Sequence, residues 1–220
     1  SGGELQVVPT QALTKLRIGL GLPSLVWECP CLVNLPSLKT LDIAVFDDPF
    51  VNAFELIRGC PVLERSKHLE VIKNKAVEEE YVFNIPTLKR LKLTWRRAFP
   101  TSVTKKVVLN VPNLEYLFVG GISGSLFVME DLSSLVEVSV SFDYIRSDDM
   151  CWEFLKGISG VKSLSIEKFP FTSALPIFPN MKHLEFKRYW YPKIVLQHLE
   201  SCPELKHLCI HMLEAQNSMN

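Results

Sequence analysis

The stretch LPSLKTLDI, residues 35–43, decides the fold, because its pattern returns along most of the chain. IPTLKRLKL (residues 85–93), VPNLEYLFV (111–119), FPNMKHLEF (178–186) and CPELKHLCI (202–210) repeat its order of apolar and polar residues. All fit the template L-x-x-L-x-L, preceded by one apolar residue. A fixed period of 20 to 50 residues predicts a solenoid, in which each unit packs on its neighbours.

The repeats are counted from an anchor residue, Leu38 in the opening stretch, that recurs at steps of 20 to 26 residues. This spacing is typical of leucine-rich repeats. The last apolar residues of the template alternate with polar ones, so each repeat is expected to add one strand to a parallel sheet. A proline stands two residues before six anchors, where its missing N–H ends the preceding structure and lets a strand begin. The nine anchors are Leu13, Leu38, Leu63, Leu88, Leu114, Leu135, Val161, Met181 and Leu205.

The segments between the predicted strands are of two kinds. Some have apolar residues at helical spacing, and the others are rich in β-branched and aromatic residues, which favour extended structure. The predicted fold is an α/β leucine-rich repeat solenoid with a curved parallel β-sheet on the concave face and helices and short extended segments on the convex face. Residues 1–220 are expected to form a single domain of about nine repeats, a piece of a longer chain. The helical segments are residues 47–59, 147–158 and 193–201, and the extended ones are residues 80–85, 105–111 and 125–130.

One repeat breaks the template. Ser66 occupies the position of its second leucine, and the apolar match resumes loosely at Leu69. This strand is therefore expected to be shifted, and residues 73–80 to form an exposed charged loop.

Composition excludes several classes of protein. The chain has 24 basic and 24 acidic residues, so it has no general attraction to nucleic acid or to anionic membranes. No stretch approaches the 18 to 20 uninterrupted apolar residues of a membrane helix. Six cysteines are few for 220 residues, and no Asn-x-Ser/Thr sequence occurs. A cytoplasmic or nuclear location is expected.

No motif indicates an enzyme or a cofactor. The glycine-rich run GGISGS, residues 120–125, lacks the Gly-Lys-Ser/Thr ending of a phosphate-binding loop and the spacing of a nucleophile elbow. The pair Asp148 and Asp149 lies where a helix should begin, which favours capping over acid–base chemistry. No catalytic residue, cofactor or metal ion is expected.

The concave face is the surface that the repeat predicts for binding. The polar residues between buried leucines line it and run from basic, through aromatic, to acidic and histidine-rich. Tyr116 and Phe118 need an explanation, because two neighbouring aromatics on an outward face are unfavourable in water, whereas aromatic and arginine residues are common interface anchors. Arg90, Lys92, Tyr116 and Phe118 are hypothesised to form the centre of a protein-binding surface. The alternative is that residues 95–100 fold over the aromatics as core.

The segment CPELKHLCIH, residues 202–211, suggests a metal site at first sight. The repeat register instead places Leu205, Leu208 and Ile210 in the core and makes Cys202 a small buried hydrophobic residue. The polar residues that remain on the face are about 6.5 to 7 Å apart along a strand and splay poorly around one zinc ion. No metal site is expected, and the histidines are predicted to strengthen pairing with an acidic partner as pH falls toward 6. The full predicted partner-binding set is Arg90, Lys92, Tyr116, Phe118, Glu137, His183, Glu185, His207 and His211.

The order LPSLKTLDI, then GCPVLER (residues 59–65), IPTLKRLKL and CPELKHL resembles the leucine-rich region of plant F-box/FBD/LRR-repeat proteins. The resemblance implies a parent protein in which an N-terminal F-box binds a Skp-type adaptor and a cullin of an SCF ubiquitin ligase. It also implies that the repeats recruit the protein to be ubiquitinated. Residues 1–12 are too short for an F-box, which is expected to lie outside this chain.

Three functions remain open on these grounds. The leading hypothesis is a non-catalytic protein-recognition module, the substrate-receptor region of an SCF-type E3 ubiquitin ligase. The second is the leucine-rich repeat sensor of an intracellular plant immune receptor, whose repeats also read L-P-x-L-x-x-L. The third is a solenoid that holds a small molecule or a metal on its concave face.

Overall fold

The computed structural model describes residues 11–19, 34–46, 56–73, 79–97, 105–121, 125–142, 148–167, 175–188 and 192–211. Its main element is a nine-stranded sheet in which all neighbouring strands run parallel. This confirms the predicted leucine-rich repeat solenoid. Its strands, in their order across the sheet, are β1 (Lys15–Gly19), β2 (Thr40–Phe46), β3 (Arg65–Lys73), β5 (Arg90–Arg97), β7 (Tyr116–Gly120), β9 (Glu137–Ser141), β10 (Ser163–Glu167), β11 (His183–Lys187) and β12 (His207–His211).

A second parallel sheet, of three strands, backs the middle repeats. It consists of β4 (Glu79–Asn84), β6 (Lys105–Asn110) and β8 (Ser125–Asp131). These strands coincide with the three segments whose β-branched and aromatic content predicts extended structure. The inward residues of this sheet, among them Phe83 and Leu109, are almost fully buried against the main sheet.

Helices back the later repeats, as the apolar spacing predicts. They are α1 (Asp148–Gly157) and α2 (Pro192–Leu199). Residues 56–58 form the end of a helical segment, and the predicted helix over residues 47–55 lies outside the described residues. Phe154 of α1 meets Phe127 of β8 edge-on, with the ring centroids 5.0 Å apart, so the last strand of the second sheet packs on the first helix.

Each strand of the main sheet after β1 is entered through a β-turn that ends at its anchor residue. The anchor N–H donates to the carbonyl three residues earlier, from Leu38 to Leu35 at 3.1 Å and from Leu205 to Cys202 at 3.1 Å. The conserved spacing of proline within the repeats has a physical basis here, because proline presets the backbone at the second position of such a turn. Cys202 opens its turn while 3 % exposed, which confirms the prediction that it is a small buried hydrophobic residue.

Hydrogen bonds tie every turn to the next. The carbonyl of Lys39 accepts from the N–H groups of both Glu64 and Arg65 at 3.0 Å, and the same forked arrangement recurs from repeat to repeat. Side chains add to it: the hydroxyl of Thr87 donates to the carbonyl of Leu63 at 2.8 Å. Parallel register is therefore set at the entrance of each strand.

The irregular repeat is shifted, as predicted, and strands extend into both ends of the segment predicted to be a loop. Ser66 is 3 % exposed, and the pairing of β3 with both neighbouring strands contains register shifts beside it. The prediction of a charged loop over residues 73–80 is wrong at its ends, because Lys73 belongs to β3 and Glu79 and Glu80 to β4. Residues 74–78 lie outside the described residues.

Leu208 and Ile210, predicted to be core residues, are less buried than expected. They pair with Leu184 and Phe186 on the inward side of the sheet, yet they are 40 % and 41 % exposed. The reason is their position on β12, which has a neighbouring strand on one side only. Within the described ranges, no helix is long and apolar enough to cross a membrane.

Candidate functional site

Two rows of side chains cross the concave face of the main sheet, one residue per strand in each. The first row contains five of the predicted binding residues, and the second contains Lys92, Phe118 and Glu185. Parallel pairing in register brings these residues to a spacing of about 4.8 Å per strand. The first row is Lys15, Thr40, Arg65, Arg90, Tyr116, Glu137, Ser163, His183 and His207.

The centre of the face is a pair of half-buried aromatics with cations beside them. The guanidinium carbon of Arg90 lies 4.3 Å from the centroid of the Tyr116 ring, and the ammonium of Lys92 lies 6.0 Å from that of Phe118. Both are cation–π contacts, the first with close geometry. The four residues predicted to form the centre are thus brought together, and we call them the aromatic centre.

Burial and neighbouring charges shift the pKa of the Tyr116 hydroxyl. Burial raises the pKa of Tyr116, and the carboxylate of Glu137 on the next strand raises it further, while Arg90 and Lys187 oppose this rise. The phenol therefore stays neutral and can donate a hydrogen bond to a partner at physiological pH.

Gly120 makes room for the aromatic centre. A Cβ atom built on Gly120 would lie 3.2 Å from Cε1 of Phe118 and 3.6 Å from Cγ2 of Thr94, so the ring of Phe118 rests over the glycine backbone. Sequence reasoning missed this residue. The available signal was a glycine at the end of the strand, two residues after Phe118, where every other main-sheet strand except β1, with Gly19, carries a side chain.

The segment proposed as an alternative cover for the aromatics is only partly described. Residues 95–97 continue β5, whereas their side chains and residues 98–100 lie outside the described part of the chain.

The other end of the face is a polar network around Glu185. One carboxylate oxygen lies 2.9 Å from the ammonium of Lys187 and the other 3.0 Å from Nε2 of His211. An ionised carboxylate can only accept, so Nε2 of His211 carries the hydrogen of that bond. Partial burial opposes ionisation of Glu185, but the contacts with Lys187, Ser165 and His211 outweigh it and hold its pKa below the usual value.

This network brings three possible metal ligands together. Oxygen, sulfur and nitrogen atoms of Glu185, Cys209 and His211 lie within 4.8 Å of one another, with Sγ of Cys209 only 3.3 Å from Nε2 of His211. The argument that same-face residues of one strand splay apart is therefore wrong for this pair, because their side chains lean together. The ammonium of Lys187 on the same carboxylate disfavours a divalent cation, and the hydrogen bonds alone account for the arrangement.

His183, His207, Cys209 and His211 do not form one cluster. His183 and His207 pair with each other across β11 and β12, with ring centroids 6.0 Å apart, while Cys209 and His211 join Glu185 instead. Beyond them, Arg188 bonds Glu167 at 3.2 Å with a left-handed backbone, φ 59°. Lys187, Glu167 and Arg188 were missed because they lie past the L-x-x-L-x-L template.

Comparison with known proteins agrees with this architecture. No protein-family model matches the sequence, and no solved structure matches it significantly. Over 94 % of its length, the chain is 30 % identical to an FBD-associated F-box protein and to an F-box/LRR-repeat protein, and 28 % identical to an F-box/FBD/LRR-repeat protein, all from Arabidopsis thaliana. The matches cover 49 %, 53 % and 50 % of those proteins, so the chain spans about half the length of the curated relatives it matches. Over nearly its whole length, the chain is therefore similar to about half of each of these plant F-box proteins, two of which are named for their LRR repeats.

Proposed function

We propose that this chain is a non-catalytic protein-recognition module, and that its concave face binds a partner protein through the aromatic centre. The observation that carries the proposal is the stacking of Arg90 on half-buried Tyr116 in the middle of a nine-stranded sheet. Aromatic and arginine side chains in partly desolvated central positions contribute most of the binding energy in protein interfaces. The predicted residues Glu137, His183, Glu185, His207 and His211 extend this surface toward β12.

The finer proposal is that the module is the substrate-receptor region of an SCF-type E3 ubiquitin ligase. It is supported by the names of the relatives, which are F-box proteins, and by the fraction of their length that the chain covers. In this proposal an F-box elsewhere in the full-length protein binds a Skp-type adaptor and cullin, and the module works in the cytoplasm or the nucleus. The concave face then chooses the protein that is ubiquitinated.

Capture of a partner tests the recognition role. The full-length protein is used as bait in plant extract, and one retained protein is chosen for affinity measurement with Arg90→Glu/Phe118→Ala. We expect affinity to fall at least tenfold, since each substitution removes one member of a stacked cation–aromatic contact. A matched control, Lys162→Glu/Ile177→Ala, changes an exposed cation and an exposed apolar residue outside the face and should retain the partner.

The outcome that overturns the recognition role is unchanged affinity in the folded double variant. The ligase role is tested separately by reconstitution of the full-length protein with a Skp-type adaptor, a cullin and the retained partner. We expect ubiquitination of the partner that is lost in the same double variant. A partner that binds the face while the adaptor does not bind the full-length protein would contradict the ligase role and leave recognition standing.

A further inference from the structure

Arg65, together with Arg90 and Lys92 of the aromatic centre, forms a basic cluster that has no ion-pair partner among the side chains that the structure describes. Arg65 and Arg90 are Cα partners on β3 and β5, and both side chains are exposed on the first row. Lys92, two residues along β5, is exposed on the second row. Like charges opposite each other on neighbouring strands destabilise a sheet. The Arg65–Arg90 pair therefore does not stabilise the sheet of the free protein.

The nearby carboxylates are already engaged. Glu64 lies 3.1 Å from the ammonium of Lys39 at the turn, and Asp42 lies 3.5 Å from Arg17. Among the side chains that the structure describes, no carboxylate forms an ion pair with Arg65, Arg90 or Lys92. The nearest acidic residue on the first row beyond them is Glu137, on the far side of Tyr116.

The three cations are far enough apart to bind separate carboxylates rather than one anion. Arg65 and Arg90 are one strand apart, about 4.8 Å, whereas Lys92 is about 7 Å further along the strand direction. A single phosphate group is best held by donors that converge on one point. The guanidinium of Arg90 lies against the Tyr116 ring, which limits its rotamers and leaves its planar fork free to bind a carboxylate with two hydrogen bonds.

We infer that the basic cluster and the aromatic centre together bind an extended acidic segment of the partner protein that crosses the strands. The inference rests on the proposed function and specifies the chemistry of the partner. The midpoint of the Arg65–Arg90 pair is about one and a half strand spacings, roughly 7 Å, from β7. Residues i and i+2 of an extended peptide are separated by about 6.6 to 7 Å and point to the same side. The expected motif is therefore an Asp or Glu two residues from an aromatic or large apolar residue.

The far side of the aromatic centre specifies the next position. Two residues further, about 14 Å from the acidic group, such a peptide reaches the region of Glu137 and Ser163 on β9 and β10. A basic or neutral residue fits there, and an acidic one is repelled. A peptide with an acidic, then an apolar and then a basic residue thus complements the charges along the face.

Selection from a random 12-residue peptide library displayed on phage tests the inference, with the full 220-residue chain as target. We expect enrichment of an acidic residue two positions from an aromatic or apolar one, in either chain direction. A synthetic peptide from the selection should bind at least tenfold more weakly to Arg65→Glu, and more weakly as salt rises, while the control Lys162→Glu binds as the unmodified chain does. Arg65 lies outside the aromatic centre, so this variant separates the inference from the proposed function.

Four outcomes would overturn the inference: enrichment of peptides without acidic residues, no enrichment, equal binding by Arg65→Glu, or a clear preference for a phosphoserine peptide over its aspartate or glutamate counterparts. If selected peptides lack acidic residues yet lose binding in Phe118→Ala, the proposed function survives and the acidic specificity does not. If the partner from plant extract binds the Arg90→Glu/Phe118→Ala variant unchanged, the proposed function itself fails.

Discussion

The buried imidazole of His198 should make the stability of the protein depend on pH. His198 lies on α2 with no exposed surface, and its Nδ1 accepts the N–H of Leu175 at 3.2 Å. The Phe186 ring lies beside it, with the centroids 6.1 Å apart. Burial lowers the pKa of His198 to about 4, from an ordinary value of 6.5. Accepting a hydrogen bond at Nδ1 is likewise compatible only with the neutral ring.

The two pKa values of His198 determine the direction in which stability changes with pH. Between pH 6.5 and about 4 the unfolded chain binds a proton at this position and the folded chain does not. The contribution of His198 to the free energy of unfolding is therefore complete above pH 6.5 and decreases as pH falls toward 4. At 1.36 kcal/mol for each tenfold change in proton affinity, the total loss is roughly 3 kcal/mol.

Urea denaturation at pH 7.0 and 4.5 measures this loss. Other groups also titrate, so the comparison is with His198→Asn, whose side-chain oxygen can replace Nδ1 as acceptor and does not ionise. The variant will be less stable at pH 7, but its decrease between the two pH values should be smaller than that of the unmodified chain by about 2 to 3 kcal/mol. The exposed residue His207, changed to Asn, should not reduce the decrease. Equal losses in the unmodified chain and His198→Asn would refute the reasoning.

Four further substitutions test side-chain packing, a hydrogen bond between successive turns and the position of the Phe118 ring. Gly157→Ala places Cβ 2.6 Å from Cγ of Met129 and should lower the unfolding free energy by about 1 to 3 kcal/mol, whereas Gly160→Ala, with no atom within 4 Å, should change it by less than about 1 kcal/mol. Thr87→Val removes the side-chain bond to the preceding turn and should cost about 1 kcal/mol, measured by the same denaturation; an unchanged midpoint would show that the bond contributes nothing. Gly120→Ala pushes on the neighbouring aromatic ring and should weaken partner binding while costing less than about 1.5 kcal/mol of stability. Full affinity in that variant would argue against the ring position as a binding determinant.

Much of the fold could be predicted from the sequence because one physical pattern is repeated. The anchor spacing determines which residues face the core, and the prolines mark the turns at which strands begin, so the order and direction of the main-sheet strands followed. Even the irregular repeat at Ser66 was recognisable as a break in the pattern. The second sheet was not predicted as a sheet, because pairing between strands 20 to 26 residues apart leaves no trace in local composition.

The positions of the candidate-site residues on the sheet could be predicted from the sequence, but their side-chain contacts could be predicted only in part. Register alone placed Arg90 beside Tyr116 and Lys92 beside Phe118, since residues at equal positions of parallel repeats become neighbours. The network around Glu185 depends on side-chain rotamers and on residues past the template, which the repeat does not constrain. For this reason the approach of Cys209 to His211 was missed.

The two ways in which the repeats are backed determine where the solenoid can bend. Where β4, β6 and β8 lie behind the main sheet, the inner and outer strands have the same separation, about 4.8 Å, so successive repeats can stack without an angle between them. The repeats of β10 and β12 are backed by α1 and α2 instead, so among the described residues no outer strand pairing fixes the spacing of these repeats on their convex side. A partner would thus meet a straight platform at Arg90 and Tyr116, and a linear peptide fits that platform.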